Sequence, residues 1–387
     1  MIIFIIFIEI LASIFYATAN FQAQVIDDNI SIGYGLALGD VDGDGKPDIL
    51  LADKKQFVWY RNGDWKKFVM IENLTEHDNV TIAARDINGD GKVEVAVGAQ
   101  WNPSETGDPE KSGSVHYLIR PNDPTQVWQA VKLPHEPTVH RMRWVKSSEG
   151  TFYLVVAPLH GKDNKDGEGA GVKILAYEYP GNNQNNWQTY ILDAHMHLTH
   201  NFDFVESPEN NRTTLFIAGK EGIRYVEDHP NNRPTGQASS LPGIERAAGE
   251  VRFGTLPGNT NFIATIEPMH GKEVAVYLKD KNAKRILLDD NLNEGHALAT
   301  ADFLGIGGDQ VVAGWRNPNK EGKVGIKLYI PQDASYEKWK SQWIDENDMA
   351  CEDIQVMDLN GDGKPDIVAS GRATKNLKIY WNKSGKN

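Results

Sequence analysis

The sequence predicts an all-β fold, a seven-bladed β-propeller closed by its own N-terminal strand. Three observations carry this reading. First, short apolar strands recur seven times: Ile49-Leu-Leu-Ala, Val93-Glu-Val-Ala-Val-Gly, Tyr153-Leu-Val-Val-Ala, Thr214-Leu-Phe-Ile-Ala-Gly, Phe262-Ile-Ala-Thr-Ile, Gln310-Val-Val-Ala-Gly and Asp366-Ile-Val-Ala-Ser-Gly. Their spacing of roughly 50 residues is that of four-stranded propeller blades. Second, most units end on an apolar pair followed by acids: Ile71-Glu72-Asn73, Leu192-Asp193, Leu288-Asp289-Asp290-Asn291 and Ile344-Asp345-Glu346-Asn347. Third, the seventh unit stops soon after Ile379-Tyr380-Trp381-Asn382 without such an ending, and the missing piece stands at the other end of the chain as Gln24-Val25-Ile26-Asp27-Asp28-Asn29. Pairing the two completes the last blade and removes a raw sheet edge.

Within a unit the order is constant. In the first, a strand at Leu36–Asp40 runs through a turn to Asp48, then come Ile49–Ala52, Phe57–Tyr60 and Trp65–Ile71. Composition agrees with many short strands and tight turns: 36 Gly, 10 Trp and 13 Tyr in 387 residues. The net charge of −13 and the lack of a basic cluster argue against nucleic acid and anionic membranes as partners. Residues 1–19 read as a signal peptide, an apolar run to Phe15-Tyr16 followed by Ala17-Thr18-Ala19. The expectation is therefore an exported protein whose residues 20–387 form one propeller, with no later segment apolar enough to span a bilayer. One cysteine, Cys351, excludes an internal disulfide.

Three turns between first and second strands carry oxygen ligands at positions one, three, five and nine. They are Asp40-Val-Asp42-Gly-Asp44-Gly-Lys-Pro-Asp48, Asp86-Ile-Asn88-Gly-Asp90-Gly-Lys-Val-Glu94 and Asp358-Leu-Asn360-Gly-Asp362-Gly-Lys-Pro-Asp366. Glycines let such a loop bend until its oxygens converge on a hard cation, Ca²⁺ or Mg²⁺. No helical pattern flanks them, which excludes an EF-hand. The corresponding segment Asp302-Phe-Leu304-Gly-Ile306-Gly-Gly-Asp309 places apolar residues where ligands belong and is expected to hold no ion. The acidic loops resemble FG-GAP or VCBS-type propeller repeats, in which the ion is mainly structural.

The opposite face of the ring collects different chemistry. Aligning the units puts Tyr34, Val80, His140, His200, Gly249, His296 and Glu352 at one repeat position, where the first strand starts. The ends of the second strands add Trp101, His160, Lys220, His270, Arg316 and Arg372, and His197 precedes His200 in the entering loop. His140, His200 and His296 are candidate ligands of one Zn²⁺ with an open position. His160 and His270 are candidate base and acid, because imidazole titrates near neutrality. Arg316 and Arg372 suit an oxyanion or carboxylate. Glu352 suits a metal position or the orientation of a ligand histidine.

The stretches His197-Leu-Thr-His200-Asn-Phe-Asp, Pro268-Met-His270-Gly-Lys, Asn293-Glu-Gly-His296-Ala-Leu-Ala, Gly314-Trp-Arg316 and Met349-Ala-Cys351-Glu352-Asp353 resemble the propeller domain of aldos-2-ulose dehydratases. The resemblance implies metal-dependent β-elimination of water from a small sugar substrate, 1,5-anhydro-D-fructose, giving an enone such as ascopyrone M. It also implies that Lys220 and the arginines bind sugar hydroxyls. Fungal members carry cupin domains linked to a further isomerisation; none follows here before Asn387, so dehydration alone is expected. Two other readings remain open. A polysaccharide lyase would use the same elimination with an arginine on a uronate carboxylate, and would need an open groove. A non-catalytic sugar- or protein-binding propeller would have no transition metal on the histidine face.

Overall fold

The computed structural model describes residues 18–385, apart from 182–185, 208–211, 229–237, 259 and 280–281. Among these residues, 28 strands form seven four-stranded antiparallel sheets and there is no α-helix. Each sheet is a blade. The inner strands, in blade order, are Gly35–Gly39, Thr81–Arg85, Val139–Lys146, Thr199–Ser207, Glu250–Leu256, Gly295–Ala301 and Cys351–Met357.

All seven predicted second strands are present, at Asp48–Ala52, Glu94–Ala99, Phe152–Pro158, Arg212–Gly219, Thr260–Glu267, Gln310–Trp315 and Asp366–Gly371. They are buried along most of their length, because a blade packs on a neighbour through each of its faces. That is why they read as apolar runs rather than alternating ones. Leu50 and Trp59 of blade 1, for example, share a core with Ile82, Val95 and Leu118 of blade 2.

The acids that end the units have a mechanical purpose. Tyr329 of blade 6 donates its hydroxyl proton to Asp289 at the rim of blade 5 (2.9 Å), and Tyr380 of blade 7 does the same to Asp345 of blade 6 (2.7 Å). At the closing seam Tyr60 of blade 1 donates to Asp27 of the N-terminal strand (2.7 Å). Lys327, Lys378 and Lys67 reinforce the three junctions. The seam is thus built like the other blade contacts.

Closure is as the sequence predicts. Phe21–Asp27 pairs antiparallel with Asn376–Asn382, from Phe21 opposite Asn382 to Asp27 opposite Leu377. Just before it, the backbone of Ala19 exchanges two hydrogen bonds with the Gln342 side chain, and Ala19 is buried. Residues 1–17 of the expected leader lie outside the described residues.

Four inner strands break register at their first residues. Val139 and Arg141 pair across a shift that leaves His140 extra; the same holds for His296 between Gly295 and Ala297, and for Glu352 between Cys351 and Asp353. In blade 4 the shift spans His200 and Asn201. The inner strands of blades 1, 2 and 5 have no such shift. A bulge re-aims the extra side chain, so the blades with a bulge are those with a histidine or glutamate to present.

Candidate metal centre and active site

Three of the bulge residues are each anchored on a backbone carbonyl. His140 donates from Nδ1 to the carbonyl of His200 (2.8 Å), His200 to that of Gly249 (2.9 Å), and His296 to that of Glu352 (2.6 Å). A carbonyl only accepts, so each Nδ1 carries the proton and each Nε2 keeps its lone pair. This is how proteins orient metal-binding histidines. Nε2 of His200 is buried with no partner of any kind.

Blade 5 contributes from elsewhere. Its inner strand has Gly249 at the repeat position, where a Cβ would stand 2.5 Å from the carbonyl oxygen of Met269. The missing side chain lets the loop after the second strand lie over the channel. That loop turns tightly at Gly271, whose Cβ would meet the Glu267 oxygen at 1.9 Å. It delivers His270 against His200, with ring centroids 4.1 Å apart, and against His296, at 4.8 Å.

His200, His270 and His296 therefore each bring one ring nitrogen to within 4.8 Å of the others, an arrangement able to hold a metal ion. The compact group takes His270 where the sequence reading placed His140. The ring of His140 instead fills the space between His200 (4.6 Å) and the face of Trp101 (5.0 Å). His270 also differs in tautomer. Arg316 donates from Nη2 to its Nδ1 (2.8 Å), which puts the proton on Nε2. Binding a cation there means losing that charge-assisted hydrogen bond, a cost of about 2 kcal/mol. A structural zinc site returns on the order of 10 kcal/mol, so the exchange is affordable. Arg316 keeps Glu294 (2.9 Å) and Glu352 (3.4 Å) as partners.

Burial holds all four imidazoles in the neutral form that a metal requires. It pushes His140, His200 and His296 well below the ordinary histidine range, helped by the charge of Arg141, and takes His270 down to about 2. Burial raises Glu352, against the pull of Arg316 and Arg372. Arg372 reaches Glu352 at 3.2 Å and lies over the Tyr34 ring.

The remaining predicted residues stand apart from the three-ring group. His160 is tied by its backbone to the Thr138 hydroxyl (2.9 Å), and its Nδ1 has no partner. His197 bonds Glu221 through Nδ1 (2.7 Å), and Lys220 donates to the Gly167 carbonyl (3.1 Å). Sequence reasoning missed Glu250. This carboxylate is 1% exposed, accepts from Asn201 (2.8 Å), and brings Oε1 to 3.2 Å from Nδ1 of His200. That approach is off-line, since the His200 proton points to Gly249, and Oε1 has no hydrogen bond. Glu250 adjoins the repeat position rather than occupying it, so a search by repeat passes it over.

On the far face the acidic loops fold as the ligand spacing requires. Asp40 accepts from the amides of Gly43 and Gly45, Asp86 from Gly89 and Gly91, and Asp358 from Gly361 and Gly363. Oxygens of Asp40, Asp42 and Asp48 already gather within 4.8 Å. Burial raises Asp48 to about 7, and also raises Glu94 and Asp366. In the fourth loop the buried last position is Gln310, not Asp309. The amide oxygen of Gln310 accepts from Leu304, whereas Asp309 caps Thr255 of blade 5.

Three family models match stretches of the chain. Residues 112–280 match the family model described as "Aldos-2-ulose dehydratase, beta-propeller domain", residues 21–97 match an "FG-GAP-like repeat", and residues 79–118 match an "FG-GAP repeat". The dehydratase match includes His140, His200 and His270 and ends before His296, Arg316 and Glu352. No curated protein matches the chain. Among solved structures, "Crystal structure of BBS1N in complex with ARL6DN, soaked with lead" is similar at TM-score 0.59 and 12% identity, covering 95% of this chain and 97% of that one. "Crystal Structure of Mitotic Checkpoint Complex" gives 0.55 and 11%, covering 95% and 92%. "Crystal structure of WD40 beta propeller domain of Doa1" gives 0.53 and 8%, covering 94% and 97%. At these identities the likeness concerns the fold alone.

Proposed function

We propose that the chain is an exported sugar dehydratase that eliminates water from a small keto-sugar, 1,5-anhydro-D-fructose. The observation that carries this reading is the group of three neutral histidines, His200 and His296 buried with their Nδ1 protons fixed on carbonyls and His270 half-buried against them, in a chain whose residues 112–280 match the dehydratase propeller model. His200, His270 and His296 would hold a divalent transition metal, zinc by the nitrogen-only donor set. When bound, such an ion supplies Lewis-acid stabilisation of a developing enolate oxygen. His160, half-buried after the second strand of blade 3, removes the proton α to the ketone. The resulting imidazolium then protonates the departing β-hydroxyl, so that a C–H and a C–O bond break, one C=C bond forms, and water leaves. Arg372 and Lys220 at the mouth bind substrate hydroxyls. Calcium in the acidic loops serves the ring rather than the chemistry.

The test is direct. Zinc-loaded protein incubated with 1,5-anhydro-D-fructose is expected to develop enone absorbance, and His160→Ala to keep its zinc and lose turnover. Absorbance from pectin or ulvan oligomers alone would transfer the elimination to uronate polymers. Silence on every substrate, with zinc bound, overturns the proposal.

A further inference from the structure

The central channel does not end at the histidines. On the acidic-loop face it opens as a cavity of about 820 Å³, roomy for a sugar-sized molecule. Arg141, 6% exposed, lines it. Its Nη1 donates to the Tyr34 carbonyl (3.2 Å), while Nε and Nη2 have no partner. The neighbouring acids do not close on them. Asp353 is occupied by the amides of Leu36 (2.8 Å) and Ile354 (2.9 Å), and Glu250 accepts from Asn201.

Two residues further along the same strand, Arg143 lines the same cavity. Among the described residues its side chain makes no hydrogen bond or ion pair, only a contact with the Phe202 ring at 5.9 Å. Burial and nearby Arg252 lower it to about 10, which leaves it charged at neutral pH. Arg85 of the same cavity shows the contrast: Glu206 clasps it in a two-bond fork at 2.6 and 2.9 Å. Arg141 is a buried guanidinium whose donors lack acceptors, which is costly, and Arg143 beside it is half-buried; the planar fork of each is shaped for carboxylate or phosphate-like oxygens.

We propose that this cavity is a second binding site, which takes an oxyanion on a sugar-sized ligand through Arg141 and Arg143. It lies on the other side of Arg141 from the histidines and does not depend on the dehydratase reading. The ligand class is a small sugar acid or a free oxyanion of sulfate type.

Calorimetric titration of the intact, calcium-loaded protein with sodium sulfate and with sodium glucuronate, at ionic strength fixed with chloride, tests this. One equivalent of either anion is expected to bind, at least tenfold more weakly to Arg143→Gln and unchanged in Lys132→Gln, on the outer strand of blade 2 away from both mouths. Glucuronate binding more tightly than sulfate identifies a sugar acid, and the reverse a free oxyanion. If Arg143→Gln does not fold, phenylglyoxal labelling of the unmutated protein answers the same question: sulfate should shield Arg143. Heat no greater than chloride gives, binding lost in Lys132→Gln but kept in Arg143→Gln, or no shielding of Arg143 overturns the site.

Discussion

The two faces of the ring bury ionisable groups by opposite backbone devices. On the histidine face, bulges in the inner strands bring carbonyls to imidazole Nδ1 atoms: His140 to His200, His200 to Gly249, His296 to Glu352. On the other face, glycine-rich turns bring amides to carboxylates, as Gly43 and Gly45 do to Asp40. Carbonyls satisfy a neutral imidazole completely and leave a lone pair for chemistry. Amides satisfy a carboxylate only in part, and several carboxylates crowd together. The histidine groups are thus oriented by the backbone alone, whereas the acidic loops gather carboxylates that a cation could relieve of mutual repulsion. If the proposed roles hold, the site for chemistry and the site for stability differ in which backbone atom faces inward.

The largest effect that would break this contrast is on turnover. His200→Ala removes the central ring of the group and should lose zinc and on the order of 10³-fold in kcat, within the range of metal and acid–base contributions. Its melting temperature should also fall, because the buried ring's bond to the Gly249 carbonyl and the bound zinc are lost together, so turnover of the folded variant is the deciding readout. Asp42→Ala should lower stability alone. Losing an ion present at about 100 times its Kd costs roughly 2.7 kcal/mol of stability, with kcat at saturating substrate unchanged. Strong loss of turnover in a folded Asp42→Ala protein would move the chemistry to the acidic face.

A finer comparison concerns Glu250. It sits beside His200 without a hydrogen bond from it, so Glu250→Gln tests whether charge alone matters there. Zinc affinity should fall by about 10-fold to 100-fold, as for other partners of metal-binding histidines, while kcat at saturating zinc is retained. Equal zinc affinity in parent and variant, measured by competition with a chelator, would limit Glu250 to bonding Asn201.

The repeat made most of this legible in the sequence. Apolar second strands, rim acids and the displaced final strand all carry composition that recurs at a period, and each was found where expected. His140, His200, His296 and Glu352 were legible for the same reason, since one repeat position maps to one place on the channel. What recurrence cannot show is an exception. Gly249 breaks the series at that position, and the space it leaves admits His270 from the next loop. His270 thereby joins His200 and His296, and His140 becomes a spacer against Trp101. The bulges were equally invisible, because an extra residue in one strand is defined only by its pairing. In the fourth loop the buried position that Asp48 fills in the first is taken by Gln310, whose amide oxygen accepts from Leu304.

The smallest expected effect tests the contrast through pH. In cation-free protein, burial raises Asp48 to about 7 from an ordinary value of 3.8, and raises Glu94 and Asp366 as well. The folded state then binds more protons than the unfolded state across that window, so these groups lose stability as pH climbs from about 4 to 7. The histidines act in the opposite sense. Their folded values lie far below the ordinary 6.5, so the unfolded state takes up protons first and their contribution grows as pH rises to about 6.5. Calcium competes with protons for the carboxylates and should remove only the first trend. The gain in melting temperature on adding calcium to chelator-treated protein should therefore be small near pH 4.5 and widen steadily to pH 7.5. A calcium gain that is flat across this range would mean that the empty loops keep their carboxylates ionised. The amides of Val41 and Asn62 at Asp48, with their counterparts at the other loops, would then suffice to hold the charge without an ion.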